Sequence, residues 1–289
     1  MEAQKLEVES LINTVHELQK IPNERFLENL ESRKLEELKF HNRDRDESFV
    51  KEAQESSDTF EKFYGNKKYY KTTVLSKNYV DGWIKKNAKN KICLDFACGN
   101  GENSFKMIDA DASLVLGMDI SNISIDNCNK QLKNNLNVDQ SKAVFFQGDC
   151  ENTLLPDNSI DTVICSGMLH HLDLNYAYPE LHRILKPGGK LLAIEALDYN
   201  PAIKFYRFIT PDMRTDWEKA HILSMKDVRF AKKFFEVGEM KFWHITSYIA
   251  GKFPFLLKPL NLLDGLLTKV PLIRLMAWIF TFELIKKKS

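Results

Sequence analysis

The chain has no short-range metal motif: neither a Cys-x-x-Cys pair nor a His-x-x-x-His spacing occurs in its 289 residues. Its five cysteines, Cys93, Cys98, Cys128, Cys150 and Cys165, are odd in number, unclustered and mostly inside apolar runs. A disulfide framework is therefore not expected, and the thiols read as reduced core residues of a cytoplasmic protein. No run of about 18 uncharged apolar residues exists, because Lys258, Asp264, Lys269 and Arg274 interrupt the single candidate, so no spanning helix is expected. The opening MEAQKLEVES is acidic and polar, which fits neither a signal peptide nor an Arg-rich transit peptide. Charge of one sign is missing overall: 41 Lys and Arg oppose 40 Asp and Glu, which argues against a dedicated nucleic-acid binder. No internal repeat is visible.

What is present is an ordinary globular composition, 44% hydrophobic and 28% charged, enough for a packed core and too apolar for wholesale disorder. The even charge hides a gradient. Residues 1–62 carry ten basic and sixteen acidic side chains, whereas residues 200–289 carry sixteen basic and eight acidic. A basic C-terminal third points to an anionic partner or surface, although solvated helix faces give the same count.

Leu11, Ile12, Val15 and Leu18 recur at helical spacing and Pro22 ends that segment; a second amphipathic stretch carries Phe26, Leu27, Leu30, Leu35 and Leu38. Residues 1–60 therefore read as a helical arm, with 42–60 as a linker or exposed helix. From residue 91 the pattern changes. Apolar runs KICLDF, LVLGMD (114–119), AVFFQG (143–148), IDTVICS (160–166) and KLLAIEA (190–196) alternate with helical stretches. That alternation is the mark of β-α-β units and a parallel sheet covered on both faces. Lys186-Pro187-Gly188-Gly189 reads as a turn before the fifth strand. EMKFWHITSY (239–248) and WIFTFELIK (278–286) are two further strand candidates, and residues 200–221 read as aromatic-rich and irregular.

The first strand ends in Asp95-Phe96-Ala97-Cys98-Gly99-Asn100-Gly101 before a helix. The glycines permit a sharp turn and close ligand approach, and the helix N-terminus suits an anion. Gly-x-Gly alone equally marks a structural turn. A dinucleotide fingerprint would need a third glycine where this chain has Ser104. Asp119 closes the second strand, where a carboxylate accepts both hydroxyls of a ribose; Gly148-Asp149 closes the third, where one accepts from an adenine amino group. Singly, each acid reads more readily as a helix cap. Their register at consecutive strand ends is hard to explain by capping.

On these residues the chain resembles the class I S-adenosylmethionine-dependent methyltransferases, over about residues 60–200 and more loosely to the C-terminus. The motifs that carry the resemblance are DFACGNG (95–101), MDIS (118–121), GDCENTLLPDNSID (148–161), SGMLHHL (166–172) and ELHRILKPGG (180–189). They are similar to the version found in quinone, sterol, sugar and natural-product methyltransferases. The resemblance implies a doubly wound, Rossmann-like α/β fold whose seven-stranded sheet ends in an antiparallel pair. It implies S-adenosylmethionine as cofactor, with Asp95, Ala97, Gly99 and Gly101 at its methionine end. Asp119 would then hold the ribose, Ile120 would pack on the adenine, Asp149 and Cys150 would flank the adenine edge, and Ser166 and Gly167 would sit beside the sulfonium. Tyr64, Tyr69 and Tyr70 would close over the cofactor carboxylate, or form a surface aromatic cluster.

Methyl transfer from a sulfonium needs alignment and exclusion of water, and a base only for a hydroxyl acceptor. His171 is the expected base, with His170 second and loop orientation the competing role. No catalytic metal is expected. Residues 61–289 form the expected methyltransferase domain, with a substrate-covering insert at 200–235 and a hydrophobic insert at 252–274 between the last two strands. Arg207, Arg214, Thr215 and His221 are candidates to contact the acceptor, with Tyr199 and Tyr206 as walls or contacts. The expected reaction is O-methylation of a small polyhydroxylated or amphipathic acceptor, such as a sugar, a lipid-linked sugar or a quinone-like lipid. The alternatives are an N-methyltransferase of an amino sugar or small amine, and a non-catalytic cofactor-binding scaffold. A nicotinamide dehydrogenase is disfavoured by Ser104 in place of the third glycine. In 252–274, Pro254, Pro259 and Pro271 break a leucine-rich, lysine-bearing stretch into short helical pieces. It reads as a cap over the sheet edge or against a twin subunit in a homodimer. The alternative is a peripheral contact with the inner face of the membrane.

Overall fold

The computed structural model describes residues 2–136 and 138–288. Helices come first: α1 (Glu2–Gln19), α2 (Asn23–Glu28), α3 (Ser32–Arg45), α4 (Glu47–Glu55), α5 (Ser57–Tyr64), α6 (Lys67–Tyr70) and α7 (Val74–Asn87). Strands then alternate with helices in the order β1 (Ile92–Phe96), α8 (Glu102–Asp109), β2 (Leu114–Asp119), α9 (Asn122–Asn134), β3 (Ala143–Gln147), β4 (Ile160–Ser166), α10 (Leu174–Ile184) and β5 (Leu185–Ala196). The chain continues through α11 (Pro201–Ile209), α12 (Asp216–Ala220), α13 (Met225–Ala231), β6 (Glu236–Trp243), α14 (Leu257–Leu267) and β7 (Ile279–Ile285).

The sheet order is β3-β2-β1-β4-β5-β7-β6. β1 to β5 run parallel, while β7 lies antiparallel between β5 and β6. Every residue of β1 and β2 is buried, as strands with helices on both faces require. Register fixes the functional edge: Phe96 pairs with Met118, Asp119 with Gln147, and Cys165 with Ala193. The carboxyl ends of β1, β2, β3 and β4 thus finish level. The chain reverses direction of winding between β1 and β4, where open α/β sheets bind ligands.

Four readings of the sequence change. The stretch 42–60 is the end of α3 followed by two capped helices, Asp46 accepting from the Ser48 and Phe49 amides and Ser56 from the Thr59 amide. Lys186–Gly189 is an excursion inside β5 rather than a turn before it: Leu185 pairs with Ile160, then Lys190 with Thr162. β6 begins earlier and stops at Trp243, because His244 has φ +64 and leaves the extended region. Residues 200–221 are not irregular: Asn200 caps α11 by accepting from the Ala202 and Ile203 amides, and Pro201 sits at its first turn.

Candidate active site

The glycine loop is held by the strands beside it. The Gly99 N–H donates to Asp119 Oδ2 at 2.8 Å, and the Ser121 N–H to Asp119 Oδ1 at 2.9 Å. The Cys98 N–H donates to the Met118 carbonyl at 2.8 Å. Ala97, Gly99 and Gly101 all have positive φ, the backbone form that folds the loop over the strand end. Ser104, which replaces the third glycine of a dinucleotide loop, is fully buried and donates to Asp95 Oδ2 at 2.7 Å. Burial raises the Asp95 carboxyl to about 6, with the Ser104 bonds opposing that rise.

Two cavities meet at this edge. The smaller, about 90 Å³, lies between Ala97, Asp119, Ile120, Asp149 and Cys150 on the sheet side and α3 on the other. The larger, about 560 Å³, runs under α6, α11 and the segment after β6. Ser166, Gly167, His171, His41 and Arg45 line both. A Cβ placed on Gly167 would meet nothing within 4 Å, so the junction of the cavities is open at that residue.

Most of the candidate residues at the strand ends therefore converge on the small cavity. Ala97, Asp119, Ile120, Asp149, Cys150, Ser166, Gly167 and His171 border it; Asp95 lies buried in β1 and Gly99 and Gly101 in the loop after it, and these three line neither cavity. His171 Nδ1 lies 2.9 Å from Glu37 Oε2 on α3. Burial alone would lower the His171 pKa; the Glu37 carboxylate, with Glu218 and Glu195 nearby, more than offsets this and raises it. Burial likewise opposes the charge on Glu37, but hydrogen bonds from His171, His41 and Thr215 hold its carboxyl well below the usual range. His170 is tied differently. Its Nδ1 lies 2.6 Å from Glu195 Oε2, while Glu195 Oε1 accepts from the Met168 and Leu169 amides.

The acceptor candidates divide. Arg207, Arg214 and Tyr206 line the large cavity, and both arginines contact the buried Glu218 carboxylate, at 2.9 and 3.5 Å. Tyr69 and Tyr70 line it too, while Tyr64 faces a separate recess beside Asn100. Thr215 bonds Glu37 instead of lining a cavity. His221 stacks on Trp217 at 3.7 Å, and Tyr199 packs on the core and accepts from the Met225 amide. Neither borders the site.

Sequence reasoning missed the partners contributed from afar: Arg33, Lys34, Glu37 and Arg45 on α3, and Glu195 at the end of β5. Arg45 is the clearest omission. Its Nε is buried without a hydrogen-bond partner, and its guanidinium sits over the Gly99 backbone. An orphaned cation above a glycine loop suits a carboxylate. The Asp119 and Asp149 carboxylates, the open loop and Arg45 fit S-adenosylmethionine chemically. The volume beside Asp149 is taken by α3 side chains.

Comparison with known proteins agrees with this geometry. Residues 94–193 match the family described as a methyltransferase domain. The chain is 34% identical over 99 residues to 27-O-demethylrifamycin SV methyltransferase of Amycolatopsis mediterranei, covering 34% of this chain and 36% of that one. It is 30% identical over 158 residues to the demethylmenaquinone methyltransferase of Oceanobacillus iheyensis, covering 52% and 62%. It thus spans from about a third to three fifths of the length of these relatives. The PH0226 protein from Pyrococcus horikoshii superposes with a TM-score of 0.52 at 18% identity, over 79% of this chain and 96% of that one. The [4+2]-cyclase SpnF superposes at 0.53 and 16% identity, over 73% and 81%. At those identities the likeness speaks for the fold alone. Residues 94–193 therefore match a methyltransferase domain, similar to those of S-adenosylmethionine-dependent methyltransferases.

Proposed function

We propose that this protein transfers a methyl group from S-adenosylmethionine to an oxygen of a small amphipathic or polyhydroxylated acceptor held in the large cavity. The observation that carries the reading is the junction of the two cavities at Ser166, Gly167 and His171. The cofactor, when bound, supplies an activated methyl on a sulfonium. Asp119 and Asp149 would accept from its ribose and adenine, the Gly99 loop and Arg45 would receive its methionine end, and Ile120 and Cys150 would flank the base. His171, its Nδ1–H donated to Glu37, would present Nε2 to the acceptor hydroxyl and take its proton as the C–O bond forms and the S–CH3 bond breaks, leaving the methylated acceptor and S-adenosylhomocysteine. The imidazolium then releases that proton to solvent. Calorimetry should show binding of S-adenosylmethionine and S-adenosylhomocysteine and none of NAD; NAD binding alone defeats the reading. With an acceptor found by labelled-methyl transfer in an extract, His171→Ala should lower turnover by about 10²–10⁴ at unchanged cofactor affinity. Loss below roughly tenfold would support the amine alternative. Retained cofactor binding with no turnover on any acceptor would support a scaffold.

The acceptor's amphipathic character is supported by the surface at the cavity mouth, where Ile203 of α11 and Ile249 and Lys252 after β6 stand. Phe255, Leu262 and Leu272 are 78%, 73% and 80% exposed among Lys252, Lys258 and Lys269. No helix among the described residues is long and apolar enough to cross a membrane. Peripheral contact with anionic lipid through 252–274 is the proposal. The demethylmenaquinone in one relative's name is an acceptor of this amphipathic kind. Flotation with anionic vesicles at low salt should carry the protein upward, and Leu262, Leu263 and Leu266 to serine should abolish it. Leu267 is kept because it packs on the core. A parent protein that stays in the soluble fraction rejects the membrane contact in favour of a cap or a homodimer face.

A further inference from the structure

Arg33, Lys34, Glu37, His41 and Arg45 form one face of α3, and all five side chains point into the small cavity. Lys34 Nζ lies 2.7 Å from Asp149 Oδ2 and 2.9 Å from Glu151 Oε2. Arg33 donates to both Glu151 oxygens, at 2.7 and 2.8 Å, and to the His171 carbonyl at 3.1 Å. At the other end of α3, Asn42 accepts from Ser121 Oγ at 2.6 Å and its amide donates to Asn122 Oδ1 at 3.0 Å. The helix is thus fastened across the cleft at both ends, and an ammonium from the protein itself sits on the carboxylate assigned to the adenine amino group. The remaining space, about 90 Å³, is well short of the roughly 300 Å³ at which small-molecule sites begin.

We propose that α3 is a latch over the cofactor cleft and that Glu37 is a positioning residue: Lys34 yields Asp149 to the entering adenosine, and Glu37 holds the His171 ring only while the arm is docked. The inference rests on the cofactor and base assignments above. It ties cofactor capture to assembly of the base, because the group that orients His171 lies on the same helix that must shift. The charged and titratable groups around His171 are Glu37 and His41 from α3, His170 on its own loop, Glu195 from β5, Glu218 from α12, and Arg33 at its carbonyl. Of these, Glu37 alone among the carboxylates forms a hydrogen bond to its ring.

The full-length protein and S-adenosylhomocysteine as probe test both halves. Lys34→Ala frees Asp149, so affinity for S-adenosylhomocysteine should rise by about tenfold, the factor for one charge-assisted contact. Unchanged or weaker binding would overturn the latch. The His171 ring, followed by NMR with the probe bound, should titrate above 6.5 in the parent and clearly lower in Glu37→Gln, where the hydrogen-bonded carboxylate no longer opposes burial. Glu37→Asp, which keeps the charge, should recover part of the rise. Equal titration in parent and Glu37→Gln overturns the positioning role. If Glu37→Gln fails to fold, the parent decides: a bound-state midpoint at or below 6.5 rejects it. A parent that binds no S-adenosylhomocysteine at all rejects the cofactor reading itself, a result distinct from either failure.

Discussion

Asp119 carries two duties that a single substitution separates poorly. Its oxygens already hold the Gly99 and Ser121 amides, so Asp119→Ala should lower stability by about 1–3 kcal/mol as well as weaken S-adenosylhomocysteine by about thirtyfold or more. Unchanged calorimetric affinity would remove it from the site. Gly99→Val should be worse for binding, because φ is +52 there and a Cβ would stand 3.1 Å from Arg45 Nη2. His244 gives a separate acid-dependent prediction. It is buried, bonded through Nε2 to Ser76 Oγ and through Nδ1 to Ser247 Oγ, and burial depresses its pKa to about 4, against a smaller opposing effect of Asp264. A neutral form favoured by folding contributes stability that is full above the ordinary value of 6.5 and lost as pH falls from 6.5 towards 4. The total loss is about 3 kcal/mol. Thermal melts of the parent should fall over that window more steeply than those of His244→Asn, which tolerates the positive φ without titrating. Parallel curves would contradict the assignment. At this scale the strand ends were legible, because Asp119 closes β2 and Gly148 and Gly167 follow β3 and β4. Glu37 and Arg45 were not, because nothing local distinguishes them from solvated helix charges.

At the scale of elements, periodicity served where burial is uniform and failed where tertiary context sets the boundary. β1 to β4 sit where their apolar runs do; every residue of β1 and β2 is buried, and the apolar cores of β3 and β4 outweigh their few polar positions. β6 is a sheet-edge strand with charged Glu236, Glu239 and Lys241, so its alternation is weak, and its end is set by the His244 backbone. The 252–274 stretch likewise hid its anchor. Asp264, its single acid, is buried and accepts from the Thr246 and Ser247 amides and Thr246 Oγ1, fastening α14 to the turn after β6. Asp264→Ala should therefore leave those amides unpaired, at about 1–3 kcal/mol, and loosen the very segment proposed to meet lipid. Faster hydrogen exchange at residues 246–268, with the sheet unaffected, is the expected result. Uniform exchange would mean that the anchor is global.

For the whole molecule, an open sheet has two exposed edges, and each is managed differently. β6 carries charge along its edge, whereas β3 has α1 beside it. Leu11 and Val15 of α1 are buried in the main core, and the Gln19 side chain donates to the Phe145 carbonyl of β3 at 2.9 Å. The arm is thus continuous with the core at its start, crosses the cofactor cleft at α3, and reaches the large cavity through Phe40 and Asp44. Removal of residues 1–20 should expose those apolar contacts and free the β3 carbonyl. Burying one such aliphatic side chain contributes about 1.5–3 kcal/mol, so losing two approaches the whole stability of many domains. The truncated protein should melt well below the parent and associate with itself through the uncovered strand, detected by light scattering at increasing concentration. A truncation that stays monomeric and melts with the parent would show that α1 is ornamental to the core. It would also weaken the case that α3 is held over the cleft by an arm anchored at both of its ends.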